Sequence, residues 1–350
     1  MAKPKQKASS ASQRREQQRQ QRQQHENVNQ KNSAQTRSRR RVQQQSNRSS
    51  WFLIGGVLVL IAIIVVAFVV ISHQPSSIAT ATPTPVSSSV LKAVTQVDPN
   101  VSNTVGTGGV KDPLQATKNS PPTLTGPTAK PEILYMGAEY CPYCAAERWA
   151  MVVALSRFGT FSHLDETTSS STDVYPSTPT FTFYHSTYTS SYIDFVPVEL
   201  QGNVADSSGS YPTLQTPTSE EQNLINTYDA PPYIDASSAG SIPFIDIANR
   251  YVQIGLPQGY SAQDLAGLQW QDIANDLSDA GSPVAQHIIG SANYLTAAIC
   301  IVTQQRPGSV CNSQTIHQIE LSIASRAFSS GGSQVAAVAG YAAADIRRLS

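Results

Sequence analysis

The spacing of apolar positions divides the chain into three kinds of segment. Residues 51–71 form an apolar run without one charged side chain, and about 20 such residues cross a bilayer core as a helix. Short β-rich runs predict strands at 133–136, 180–184, 192–199, 244–247 and 251–254, the last two joined by a turn at Ala248-Asn249-Arg250. Apolar residues at helical spacing predict a short helix through Val90, Leu91, Val94 and Val97, and longer ones at 142–157, 262–277, 284–302, 314–328 and 335–349. Ser219-Glu220-Glu221 opens a brief helix with Ser219 as its N-cap. The polar stretch 162–178 reads as a surface loop, and the Gly- and Pro-rich stretch 106–131 as a segment wrapping the domain surface.

Charge sharpens this division. The first 50 residues hold 13 Lys and Arg against 2 Asp and Glu, whereas the remaining 300 hold 11 against 22. The Gln-rich, Arg-rich start is too polar to bury a core, so residues 1–50 are expected to be a disordered cytoplasmic tail. Its charge, next to a Ser/Thr/Pro-rich stretch on the far side of 51–71, orients a single-pass span in the cell membrane by the positive-inside rule. The N-terminus is then cytoplasmic and the large C-terminal part extracytoplasmic. No aromatic residues interleave the arginines, so nucleic acid is not the expected partner. The expected order is tail 1–50, transmembrane helix 51–71, linker 72–86, an N-terminal extension 87–131 packed on the ectodomain, an α/β core 132–280 and a helical C-terminal extension 281–350.

The chemistry sits on four cysteines. Cys141-Pro-Tyr-Cys144 follows the strand at 133–136 and opens a helix, with Pro142 at the first helical position. That puts the Cys141 sulfur at a helix N-terminus, where free N–H groups and the dipole favour a thiolate. Cys144 is within disulfide reach of it. Strand, Cys-x-x-Cys and helix in this order resemble the redox site of the thioredoxin superfamily, and the Pro-Tyr dipeptide resembles glutaredoxins. The resemblance implies that Pro243, ahead of the 244–254 hairpin, is a cis-proline facing the cysteines, with Ile242 beside the sulfurs. Cys300 and Cys311 make a second pair, read as a structural disulfide clasping two helices or as a redox relay to Cys141. Glu139 is a candidate for raising the Cys141 pKa, and Arg148 for offsetting it, although both read more simply as surface charges. Trp149 reads as core, with Glu147 and Arg148 off the apolar face of its helix.

Cys141-Pro-Tyr-Cys-Ala-Ala-Glu-Arg-Trp-Ala150, the Ile242-Pro243 hairpin and Asn293-Tyr-Leu-Thr-Ala-Ala-Ile-Cys300 resemble a prokaryotic, membrane-anchored, thioredoxin-like family, the domain of unknown function 929. The resemblance runs from Val86 to the C-terminus. It implies fold and site, with no assigned reaction. The expected function is thiol–disulfide exchange on protein thiols and disulfides, Cys141 attacking and Cys144 resolving, without a cofactor and with a possible redox partner in the membrane. The rival from another class is a non-catalytic scaffold that keeps the fold for docking. A structural zinc site needs four protein ligands, and here no second Cys-x-x-Cys exists and His163 and His185 stand alone. Gly-x-Ser-x-Gly and Gly-rich phosphate loops are absent from the sequence.

Overall fold

The computed structural model describes residues 83–329. The basic tail, the apolar run 51–71, most of the linker and the helix expected at 335–349 lie outside the described residues. In chain order the elements are β1 (Thr84–Pro85), α1 (Ser88–Thr95), α2 (Pro99–Val105), β2 (Gln115–Ala116), β3 (Glu132–Gly137), α3 (Pro142–Ser156), β4 (Gly159–Ser162), β5 (Asp165–Thr168), β6 (Pro179–Thr182), β7 (Thr187–Ser190) and β8 (Asp194–Glu199). They continue with α4 (Ser219–Tyr228), β9 (Phe244–Ile247), β10 (Tyr251–Ile254), α5 (Trp270–Asp276), α6 (Pro283–Val302), α7 (Gly308–Cys311) and α8 (Gln314–Ser329). This is a mixed α/β architecture.

The main sheet runs in the order β2-β10-β9-β3-β8. Strand β3 is parallel to β8, with Gly137 opposite Glu199, and antiparallel to β9. Its unbroken apolar run reflects burial on both faces. Ile133 and Tyr135 join the large core cluster with Trp149, Ile245 and Ile289, while Leu134 and Met136 face a smaller cluster with Phe244, Val252, Ile225 and Tyr228. Helices α3 and α6 therefore lie on one side and α4 on the other. Between α3 and β8 the chain inserts a two-stranded sheet, β4-β7, and the strands β5 and β6, which with β1 form a three-stranded sheet.

Several expectations need correction. Helix α3 is not amphipathic: Glu147 and Arg148 are fully buried along with Trp149, because α1, α6 and β6 pack around it as well as the main sheet. The supposed loop 162–178 contains β5, whose Thr167 is buried. Thr218, not Ser219, caps α4; its side chain and that of Glu221 form a capping box. The helix expected at 262–277 is split into a 3-10 turn (Ala262–Leu265) and α5, with Gly267 between them at φ +81°. The end of the expected linker pairs with β5 as β1.

Among the described residues, α6 is the one helix long and apolar enough to cross a membrane, yet 83% of that window is buried inside the protein. It is a core helix. Asn293 on α6 donates to the carbonyls of Ser102 (3.0 Å) and Gly106 (2.7 Å) and accepts from Arg157 (2.8 Å). Arg157 also donates to Thr296 Oγ1 at 2.6 Å and Ser102 Oγ at 2.8 Å. One polar knot thereby fixes α2 and the end of α3 to α6. The segment after α2 crosses α6 at Gly290, where a Cβ would sit 2.3 Å from the Thr107 carbonyl oxygen.

Candidate functional site

Strand β3 ends at Gly137, and the chain turns through Ala138-Glu139-Tyr140 so that the Cys141 N–H donates to the Ala138 carbonyl at 3.2 Å. Cys141 is itself the N-cap of α3, in extended conformation, with Pro142 following at the first helical position. The Cys144 N–H donates to Cys141 Sγ at 3.3 Å. The sulfur thus takes the place that a serine or aspartate oxygen occupies in an ordinary cap.

The two thiols are free and unequal. Cys141 keeps 5% of its surface exposed and Cys144 none. The Cys144 thiol hydrogen-bonded to Cys141 holds the Cys141 pKa below its ordinary value, helped by the Cys144 N–H and the Arg148 charge and opposed by burial. Burial, followed by the neighbouring Cys141, pushes Cys144 well above its ordinary value. On the far side of the sulfurs the Ile242–Pro243 peptide is cis, and the Ile242 carbonyl oxygen lies 4.0 Å from Cys141 Sγ. Cys141, Cys144, Ile242 and Pro243 are therefore together in space.

Beneath them lies a buried charge cluster that the sequence reading had placed at the surface. Arg148 clamps Glu199 through two hydrogen bonds, Nε to Oε1 at 2.8 Å and Nη2 to Oε2 at 2.7 Å. The same Nη2 donates to the Ala138 carbonyl at 2.9 Å, bracing the turn before Cys141, and the guanidinium lies 5.8 Å from the centre of the Tyr135 ring. Glu139 is buried too and accepts a short hydrogen bond from Thr182. Burial first, then the Glu199 charge, pushes its pKa up to about 8, against the lowering pull of Arg148. That upward shift favours the neutral acid and so weakens the like-charge repulsion expected of Glu139. Glu199 had no signal of its own in the sequence. Only the β3–β8 register, which sets it opposite Gly137, could have found it.

Cys300 and Cys311 are bonded to each other with a Cα–Cα distance of 5.5 Å. Both are buried and belong to the main core cluster. His163 and His185 are exposed, and among the described residues no three His, Cys, Asp or Glu side chains come together as a metal-binding group.

A family model matches residues 115–301, from β2 to the end of α6. The chain belongs to the family described as Domain of unknown function (DUF929). The DUF929 region contains Cys141, Cys144, Pro243 and Cys300 and stops short of Cys311. No curated protein matches the chain, and no solved structure does.

Proposed function

We propose that the chain is a single-pass membrane protein whose extracytoplasmic, thioredoxin-like domain exchanges thiols and disulfides with other proteins. The observation that carries this reading is the inequality of the pair: Cys141 caps the helix with a lowered pKa, whereas Cys144 is fully buried with a raised one. The thioredoxin-like reading is supported by β3, Cys-x-x-Cys and α3 in order, by parallel β8 on one side and antiparallel β9 and β10 on the other, and by the cis-proline beside the sulfurs. The anchor and its orientation rest on residues 51–71 and the basic residues before them.

In the reaction, the Cys141 thiolate attacks one sulfur of a substrate disulfide. A Cys141–substrate bond forms, the substrate S–S bond breaks, and the departing thiolate takes a proton. Cys144 then loses its proton and attacks Cys141 Sγ, releasing the second substrate thiol. The substrate gains two electrons and the protein holds a Cys141–Cys144 disulfide; the reverse sequence oxidises a substrate dithiol. A thiolate stabilised at Cys141 stabilises the reduced protein and favours that reverse, oxidising direction. A redox partner in the membrane would return the pair to its starting state. In this scheme the buried Cys300–Cys311 bond is a structural clasp.

The test is a redox titration of the full chain in detergent against glutathione buffers, with Cys141→Ser and Cys300→Ser alongside. A reversible midpoint absent from Cys141→Ser and unmoved in Cys300→Ser supports both the exchange enzyme and the clasp. A midpoint that moves in Cys300→Ser supports a relay. No exchange at Cys141 leaves the non-catalytic scaffold.

A further inference from the structure

Among the described residues the large apolar side chains standing exposed are Tyr143, Val174 and Val204, at 40%, 51% and 38%. All three belong to one rim. Tyr143 lies between the cysteines, and its ring meets Tyr175, next to Val174, edge-on at 6.2 Å. The loop carrying Val174 is held to the turn before Cys141 by the Ser170 N–H, which donates to the Tyr140 carbonyl at 2.9 Å. The loop carrying Val204 is held there from the other side. The Glu139 N–H donates to the Gln201 carbonyl at 2.8 Å, and Tyr211 stacks on Tyr140 at 4.3 Å. The two loops are joined by the Tyr211 hydroxyl on Ser170 Oγ at 2.8 Å and by Asn203 Nδ2 on the Thr168 carbonyl at 2.8 Å. Apolar side chains left in water beside one reactive sulfur mark a contact surface rather than scatter.

The charge of that surface is one-sided. The two loops and the Pro243 loop, residues 169–178, 200–217 and 236–243, contain Asp173 and Asp206 and no Lys or Arg. Asp173 adjoins Val174 and is close enough to Tyr140 to add to the raising of its phenol pKa, after burial and the two cysteines. Asp206 is exposed on the second loop, and hydrogen bonds from Ser208 and Ser210 keep its carboxyl below the ordinary range, so it stays anionic. Arg148, the cation beneath the thiols, is fully buried and paired with Glu199, so it is not part of that surface.

We propose that this rim docks an extended, cationic segment of a partner protein, whose cysteine is flanked by an apolar side chain and by Lys or Arg. The proposal rests on the exchange reading and specifies its substrate class. The apolar flank packs against Tyr143 and Val174 or against Val204 and Tyr211, while Asp173 and Asp206 attract the cationic residues. Charge complementarity of this kind acts chiefly on association rate, by about tenfold or more at low salt.

The test uses the full chain in detergent as Cys144→Ser, which stops after the first step. Short peptides with one cysteine, held as a mixed disulfide with thionitrobenzoate, are offered with Leu and Lys flanks, Leu and Glu flanks, or Ser and Lys flanks. Cys141 attacks the peptide sulfur, a Cys141–peptide bond forms, and the coloured thionitrobenzoate thiolate leaves with the electron pair. The Leu/Lys peptide should react about tenfold faster than Leu/Glu at about 20 mM salt, with the gap closing at about 0.5 M, and faster than Ser/Lys. Asp173→Asn with Asp206→Asn should remove the Lys-over-Glu ratio, and Tyr143→Ala should reduce the Leu-over-Ser ratio. Equal rates for all three peptides, or a preference for Glu, overturn the docking proposal. Dithiodipyridine, a small neutral disulfide, separates the two levels: if it reacts at Cys141 while the peptides show no preference, exchange stands and docking fails; if it does not react, both fail.

Discussion

Glu147 offers a sharp test of how deeply α3 is enclosed. Its carboxyl is fully buried near Gln253 without a well-formed hydrogen bond, and burial pushes its pKa up to about 8. In the unfolded chain the same group titrates near its ordinary value of 4.5. Between those two values the folded protein keeps a proton that the unfolded chain has released, so stability falls as pH rises. It falls by about 1.4 kcal/mol per pH unit for this one group. Below the unfolded pKa the contribution is fully present, and above the folded pKa no more is lost. Glu147→Gln keeps the shape and removes the titration. The variant should match the wild type near pH 5 and exceed it by a few kcal/mol, on the order of 3 to 5, at pH 8. Urea unfolding of the full chain in detergent, followed by tryptophan fluorescence at pH 5, 6.5 and 8, reads the difference directly, since Trp149 is buried on the same helix. Parallel pH profiles for the two proteins would refute the buried, protonated Glu147.

Three further outcomes follow from named contacts. Glu199→Ala leaves the Arg148 charge buried and unpaired and should cost about 3–5 kcal/mol by the same unfolding assay; a loss below about 1 kcal/mol would mean that water reaches the pair. Asn293→Leu strips partners from Arg157 and from the Ser102 and Gly106 carbonyls together, and should destabilise by roughly 2–4 kcal/mol, with loosened hydrogen exchange in α2 as the signature. Replacing Cys300 and Cys311 by Ser releases a link across 11 residues and should cost about 3 kcal/mol in thermal or urea unfolding, while leaving the Cys141 alkylation rate unchanged.

What the sequence made legible was local. The strand before Cys141, the helix it caps and the 244–254 hairpin are each specified by residues within a few positions, and the structure has them with small shifts of boundary. The resemblance supplied the cis Ile242–Pro243 peptide, which no propensity would have. What stayed hidden depended on partners far along the chain. Glu147 and Arg148 read as an outer face because a helical wheel assumes one covered side, whereas α3 is enclosed by α1, α6 and β6 too. The carboxylate that pairs with the buried Arg148 is Glu199, 51 residues away. Strand β5, Asp165-Glu-Thr-Thr168, carries no apolar residue, so its pairing with β1 and β6 left no trace in hydropathy. The break in the 262–277 helix was visible in principle, since Gly267 interrupts the pattern. The rim beside Cys141 is built from Ser-, Thr- and Gly-rich loops that sequence patterns register only as loops.

The central claim is that Cys141 is the reactive thiolate and Cys144 the sheltered thiol that resolves it. Iodoacetamide alkylation of the reduced full chain across pH, with each modified cysteine located by mass spectrometry, tests it directly. Cys141 is expected to be alkylated first, with a midpoint below that of free cysteine (about 8.5), and Cys144 to react only after unfolding. Alkylation of Cys144 ahead of Cys141, or a Cys141 midpoint at or above that of free cysteine, would contradict it.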